Sequence, residues 1–267
     1  MEIDLQPVEE IDFTNSERAI FNVLKATLQY PANPQTKGLK LADDIDFFCK
    51  SAEGEGAVSA ILWDVWGVIV EIVSRIPPGH PWQTSLVQSL DTLRRRDGSA
   101  SAQNKDLPNL SACMREQWND PTYTGEDVGE EFTKWENLNS FVARLTKAGF
   151  APWLNFPIWQ LRMTLEEPPV KGAAMACRLR VATEWVIHCA DAIFEEINSK
   201  EELDESLARA LRTGPLYEGK PPLSIERWDF WKKRFSETDD DLGNLEVDIA
   251  ISGQISDALR SMDAVGK

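Results

Sequence analysis

The sequence predicts an all-α fold, an irregular multi-helix bundle or short helical solenoid of about ten helices. Three observations carry that expectation. Apolar residues recur at helical spacing along nearly the whole chain, whereas strand-like alternation is confined to Leu245, Val247, Ile249 and Ile251. Pro and Gly clusters at Pro31 and Pro34, Gly54 and Gly56, Pro77 to Pro81, and Pro168 with Pro169 divide the chain into pieces of helical length. Two tetrapeptides, Trp63-Asp64-Val65-Trp66 and Trp228-Asp229-Phe230-Trp231, each place two indoles one turn apart on a helix face, in a chain with 10 Trp and 2 His.

Each element follows from its own signals. Asn15 or Ser16 caps a first helix running to Tyr30, where Pro31 and Pro34 stop it. A short helix fits 39–50, and Gly54 and Gly56 then break the chain. Segment 57–75 is apolar almost all round, its polar strip being Asp64, Gly67, Glu71 and Ser74, so it belongs in the middle of a bundle. Pro77-Pro78-Gly79-His80-Pro81 is a sharp turn, and helix 82–96 ends in Arg94-Arg95-Arg96, which suits a helix C-terminus. Residues 97–110 turn to Ser, Ala, Asn, Gly and Pro and read as a long loop or a linker. Helices resume at 111–118, 126–148 and 157–166, and after the Pro168-Pro169 break at 170–198, 200–211 and 224–236. Segment 245–262 reads as a helix, because Val247, Ile251, Ile255, Ala258, Leu259 and Met262 share one face and a lone strand would lack a partner. A single domain over 1–267 is expected, since the Trp doublets near both ends call for a shared core.

Charge and cysteines narrow the function classes. The formal net charge is -16, with five acids and no base between Glu2 and Asp12 and six acids and no base between Glu237 and Asp248. Such a surface repels phosphate backbones and anionic headgroups, so neither nucleic acid nor membrane is an expected partner. Cys49, Cys113, Cys177 and Cys189 stand far apart, and His80 and His188 are the only imidazoles, so neither a metal nor a disulfide framework is expected. The acidic stretch from Met1 to Asp12 is unlike a secretory leader, and the apolar run 60–73 is short for a bilayer span; a reduced, cytoplasmic protein is the expectation.

A set of ordered landmarks carries a family resemblance. Trp63-Asp64-Val65-Trp66 is followed by Ile76-Pro77-Pro78-Gly79-His80-Pro81, Trp135-Glu136-Asn137-Leu138-Asn139, Trp159-Gln160-Leu161-Arg162, Arg180-Val181-Ala182-Thr183-Glu184-Trp185 and Glu226-Arg227-Trp228-Asp229-Phe230-Trp231. Over about Ala57 to Phe235 this resembles a family of fungal, all-helical proteins known as a domain of unknown function. The resemblance implies a fungal source, a helical intracellular protein and a link to fungal secondary metabolism. It brings no catalytic set and no cofactor.

Candidate chemistry therefore rests on the residues themselves. On helix 170–198, Cys177, Arg180, Glu184, His188, Asp191 and Glu195 share one stripe. Glu184 and His188, one turn apart, make a carboxylate–imidazole pair able to move a proton near neutral pH, with Arg180 placed to hold an anionic group; an amphipathic helix also shows such a stripe simply to water. Arg162 falls on the apolar face beside Trp159, with Glu166 one turn on. It is either a ligand anchor in a Trp-walled pocket or part of a buried Arg–Glu tie between helices. Asp64 and Glu71 lie on the polar strip of helix 57–75 and either line a pocket or meet Arg side chains from neighbouring helices. No phosphate-binding glycine loop, dinucleotide fingerprint, nucleophile elbow or calcium loop occurs, and Asp239-Asp240-Asp241 reads as an acidic turn. Two function classes stay open. One is a binding or scaffold protein that engages a protein partner or a small hydrophobic or cationic molecule. The other is a cofactor-independent enzyme in which Arg162, Glu166, Arg180, Glu184 and His188 converge on a Trp-lined cavity.

Overall fold

The computed structural model describes residues 3–54, 56–96, 107–123, 129–150, 153–199, 203–218 and 221–265. Every regular element among them is helical. The chain divides into two compact units, Met1–Asp120 and Pro121–Lys267. Residues 97–106 of the expected loop or linker lie outside the described residues.

In the first unit a short turn of helix, α1 (Gln6–Glu9), precedes α2 (Asn15–Gln29), α3 (Pro34–Lys50), α4 (Ala57–Ser74), α5 (Pro81–Arg95) and α6 (Leu110–Glu116). The cap of α2 is Thr14 rather than Asn15 or Ser16. Thr14 Oγ1 accepts from the Glu17 amide at 3.2 Å and Glu17 Oε2 accepts from the Thr14 amide at 2.9 Å, a reciprocal box that satisfies two otherwise orphaned donors. Pro34, expected to end a helix, begins one. Asn33 caps α3 through the Thr36 amide at 2.8 Å, and Pro at the first position loses nothing because its missing N–H would have had no helical partner. The helix is therefore a turn longer than expected at its N-terminus. His80 and Pro81 start α5 in the same way.

Helix α4 is the interior element of this unit and packs against α2, α3 and α6. Its length and composition alone would let it cross a membrane. Here its apolar girth is taken up by packing, with Leu62, Val65, Trp66, Val68, Ile69, Ile72 and Val73 all at 0% exposure. The Trp doublet divides: Trp66 is buried and donates its indole N–H to the Pro108 carbonyl at 2.7 Å, whereas Trp63 is 36% exposed.

The second unit contains α7 (Gly129–Lys147), α8 (Asn155–Leu161) running into a π-turn at Arg162–Glu166, α9 (Gly172–Ile197), α10 (Glu205–Ala210), α11 (Ile225–Asp240) and α12 (Ser252–Ala264), with single 3-10 turns at Pro121–Tyr123, Pro215–Tyr217 and Ile249–Ile251. Helix α9 is its axis, packed by α7, α8, α11 and α12. Trp228 and Trp231 are both buried and meet edge to face at 6.4 Å, with Trp228 also against Phe194 of α9 at 5.4 Å. Asp239 and Asp240 end α11 as helix, so the expected acidic turn shrinks to Asp241, which closes the helix. The C-terminal segment is helical from Ser252, but 245–248 is not: Glu246 is left-handed at φ 58°, and the Leu245 carbonyl accepts from the Gly172 amide at 2.8 Å at the start of α9. That external bond gives Leu245 and Val247 buried positions without a helix or a strand.

Candidate functional site

Two clusters of polar side chains stand out in the second unit. The first lies along α7 and α9, which run parallel. Glu136 meets Arg180 at 3.1 Å, and Ser140 meets Glu184 at 2.7 Å, each pair separated by 44 residues. Inside that ladder, the Trp185 indole donates to Asn139 Oδ1 at 2.8 Å. His188 Nε2 lies 3.4 Å from Glu184 Oε2, the same oxygen that accepts the Ser140 hydroxyl. Burial pushes the Glu184 carboxyl upward, but the His188 and Ser140 hydrogen bonds, the His188 charge and the Arg144 charge outweigh it and hold the group below its ordinary range. Burial dominates at Glu136, which is raised despite Arg180.

This geometry limits the chemistry. A serine nucleophile needs its hydroxyl aimed at the base, yet Ser140 and His188 both point at one carboxylate oxygen. Glu184 is a hub acceptor, able to share a proton with His188. Immediately after His188 the backbone departs from helical geometry at Cys189 (φ -129°, ψ 19°), whose thiol contacts the Ala143 carbonyl at 3.2 Å and is pushed up to about 12 by burial. Along the expected stripe, Cys177 is buried, Arg180, Glu184 and His188 are half-buried, and Asp191 and Glu195 face water.

The second cluster centres on Glu166. Its Oε1 accepts from Arg227 Nε at 2.6 Å and the Trp231 indole at 2.7 Å; its Oε2 accepts from the Gly214 amide at 2.6 Å and Arg227 Nη2 at 3.2 Å. Arg227 completes its five donors on the carbonyls of Leu211 at 2.8 Å, Pro222 at 2.7 Å and Arg212 at 3.2 Å. Both partners are 0% exposed, and the guanidinium sits 5.1 Å from the Trp231 ring centre. Every lone pair of the carboxylate and every N–H of the guanidinium is used, so Glu166 has no acceptor left for a ligand.

The remaining candidates fall elsewhere. Arg162, 9% exposed, reaches only the Arg212 carbonyl at 3.4 Å. Trp159, half-buried, donates to the Ala210 carbonyl at 2.7 Å. Asp64 is half-buried on α4 of the first unit. The buried Arg–Glu tie exists, but Arg227 makes it instead of Arg162. The five groups expected to converge thus divide, with Arg180, Glu184 and His188 serving α7 while Arg162 and Glu166 serve the segment 210–231. A surface pocket of about 390 Å³ opens beside α2 and α3, lined by Ala26, Thr27, Tyr30, Lys37 and Lys40 among others, and none of the sequence candidates borders it. No group of three or more His, Cys, Asp or Glu among the described residues is placed to hold a metal ion.

Arg227 is accessible to a closer sequence reading, since it lies one turn before Trp231 on the apolar face of α11. So is Arg178, which is 5% exposed on the apolar side of α9 and bonds Thr122 Oγ1 at 2.9 Å and the Met163 carbonyl at 3.3 Å. Ser140, Glu136 and Arg144 carry no such signal, because their roles come from α9.

The model of a family described as a protein of unknown function (DUF3632) matches residues 66–235, and the chain belongs to that family. The match begins at Trp66 and ends at Phe235, both fully buried, and takes in both polar clusters while leaving Asp64 just outside. No curated protein and no solved structure matches the chain.

Proposed function

We propose that this family member is a non-enzymatic binding protein of the fungal cytoplasm, which engages a protein partner through the polar band that α7 and α9 form on the second unit. The observation that carries this reading is the division of the five candidate groups into two sets, one of them closed by the saturation of Glu166. A catalytic centre needs convergent groups with valences free for substrate. The band supplies what recognition needs instead. Glu136, Arg180, Glu184 and His188 are half-buried and held in fixed positions by one another and by the buried Ser140 hydroxyl, and the band continues into Asp191 and Glu195 in water. Charges ordered before binding lose little side-chain entropy when a complementary surface arrives.

Affinity capture with the wild-type chain and with Asp191→Lys/Glu195→Lys tests the reading, because both residues are exposed and the reversal leaves the fold alone. The expected result is one stoichiometric protein partner, lost on reversal. A metabolite consumed by the wild type and left intact by Glu184→Gln would overturn the proposal in favour of an acid–base enzyme built on Glu184 and His188.

A further inference from the structure

We propose that the pocket beside α2 and α3 binds a small monoanion with an apolar ring body, whose charge rests on the Lys37 ammonium. The site lies in the first unit and uses none of the residues of the α7–α9 band.

The sequence builds the cavity from two triplets of the same spacing. Ala26, Thr27 and Tyr30 stand at i, i+1 and i+4 on the last turn of α2 and its cap, and Thr36, Lys37 and Lys40 at i, i+1 and i+4 on the first turns of α3, so each triplet occupies one helix face. Tyr30 and Asn33 precede Pro31 and Pro34, which disfavour a helical backbone before them, and both are extended, at ψ 135° and ψ 161°. Two extended corners set the helix ends apart, and Ala32 between them lines the gap with a methyl group alone. The space left is about 390 Å³, within the range of about 300–1,000 Å³ found for small-molecule sites. Tyr30 lines it while 67% exposed, a flat ring that a ligand would cover.

The charge at the pocket is opposite in sign to that of the chain. Lys40 pairs with Asp44, a buried carboxylate that also accepts the Thr27 hydroxyl at 2.7 Å, so this pair is neutral. Lys37 donates one of its three N–H groups to the Leu28 carbonyl and stands 5.6 Å from the centre of the Trp82 ring. No carboxylate among the described residues forms an ion pair with it. The pocket therefore carries one uncompensated positive charge in a protein of net charge -16. Acids farther away than about 8 Å are screened at physiological ionic strength, which leaves the sign to the local group. Burial lowers the Lys37 pKa, because part of the water that would solvate the ammonium is already gone. An ammonium is a rotatable point charge, so it selects a ligand by sign rather than by planarity. A neutral ring would bury the same apolar surface without the ion pair, and a cationic ring would be repelled.

Methyl ¹H–¹³C spectra of the full chain labelled at alanine read the site through Ala26 and Ala32, with 2-naphthoate, neutral 2-naphthamide and cationic 2-naphthylmethylammonium as probes. Naphthoate is expected to shift both methyl signals saturably and to bind about tenfold or more tightly than naphthamide, as a charge-assisted hydrogen bond requires. Lys37→Met keeps the aliphatic stem and removes the charge; it is expected to weaken naphthoate to the level of naphthamide. Should that variant fail to fold, Ala26→Leu, which fills the pocket from an exposed helix position, is expected to weaken naphthoate and naphthamide alike. Methyl signals indifferent to naphthoate overturn the proposal, as does naphthoate binding unchanged in Lys37→Met or in Ala26→Leu. Naphthamide or naphthylmethylammonium binding at least as tightly as naphthoate overturns the assignment of an anion.

Discussion

Replacing Arg227 by Met is the sharpest test of how the second unit is held together. The substitution keeps roughly the aliphatic volume and removes all five N–H donors. Glu166 is left fully buried with only the Trp231 and Gly214 donors, and the carbonyls of Leu211, Pro222 and Arg212 lose their partner. Breaking a buried ion pair by deleting one partner costs about 3–5 kcal/mol, a large share of the roughly 5–15 kcal/mol that stabilises an ordinary domain. Glu166→Gln belongs in the same range. One of its two polar ends must present an amide N–H₂ to donors, either Arg227 Nε with Trp231 or Arg227 Nη2 with Gly214. In the double variant Glu166→Gln/Arg227→Met no unpaired charge remains, so its cost falls short of the sum of the singles by at least about 2 kcal/mol. Urea unfolding followed by circular dichroism and Trp fluorescence gives all three values. Additivity within about 0.5 kcal/mol, or a cost below about 1 kcal/mol for Arg227→Met, would refute the reasoning.

Three further outcomes rest on the same geometry. A Cβ on Gly214 would sit 2.7 Å from the Glu166 carbonyl oxygen and 2.8 Å from its Cβ, so Gly214→Ala must push the Glu166 backbone away, and urea unfolding should show a loss of about 1–3 kcal/mol. Because the folded-state pKa of Glu184 lies below its unfolded value, its contribution is fully present above the ordinary carboxylate range and is lost as pH falls through the folded value; acid titration of stability should show a shallower acid limb for Glu184→Gln than for the wild type. Burial pushes the Cys49 and Cys113 thiols up to about 11 and Cys189 up to about 12, and Cys177 is also buried, so a thiol reagent at neutral pH should label none of the four in the native protein and all four after unfolding.

The elements most legible in the sequence are those whose signals are local. Gly56 at φ 77° starts α4, and Pro81 starts α5, because backbone restriction acts within a residue or two. The same locality explains the misplaced start of α3: a proline reads as a stop or as a start according to whether the residue before it caps, and Asn33 caps. The helix expected over 157–166 agrees with the structure in where it ends but not in kind. Its last five residues form a π-turn whose final residue, Glu166, is bonded by Arg227, Trp231 and Gly214, and Arg227 stands 61 residues away in the sequence. Periodicity assigns each residue a bearing on an ideal helix, and a single inserted residue shifts every bearing after it.

The candidate site shows the same divide between what one helix specifies and what two specify together. Glu184 and His188 can be paired from sequence because they lie on one helix, one turn apart. Their partners on α7 cannot, since nothing in 129–147 distinguishes Ser140 from any other small polar residue before α9 is laid beside it. Yet the interface contains only one unknown. Parallel helices have equal rise, so a single fixed contact sets the register, and all others repeat at intervals of one turn. Glu136–Arg180 and Ser140–Glu184 share an offset of 44, Asn139–Trp185 and Ala143–Cys189 an offset of 46. The same offset that pairs Ser140 with Glu184 places Arg144 level with His188, where its charge helps to depress the Glu184 carboxyl. The polar band is therefore one object whose charges are coupled through register. A substitution that slips α7 against α9 by a turn would exchange the Glu136–Arg180 attraction for contacts between different partners and dismantle the whole band at once.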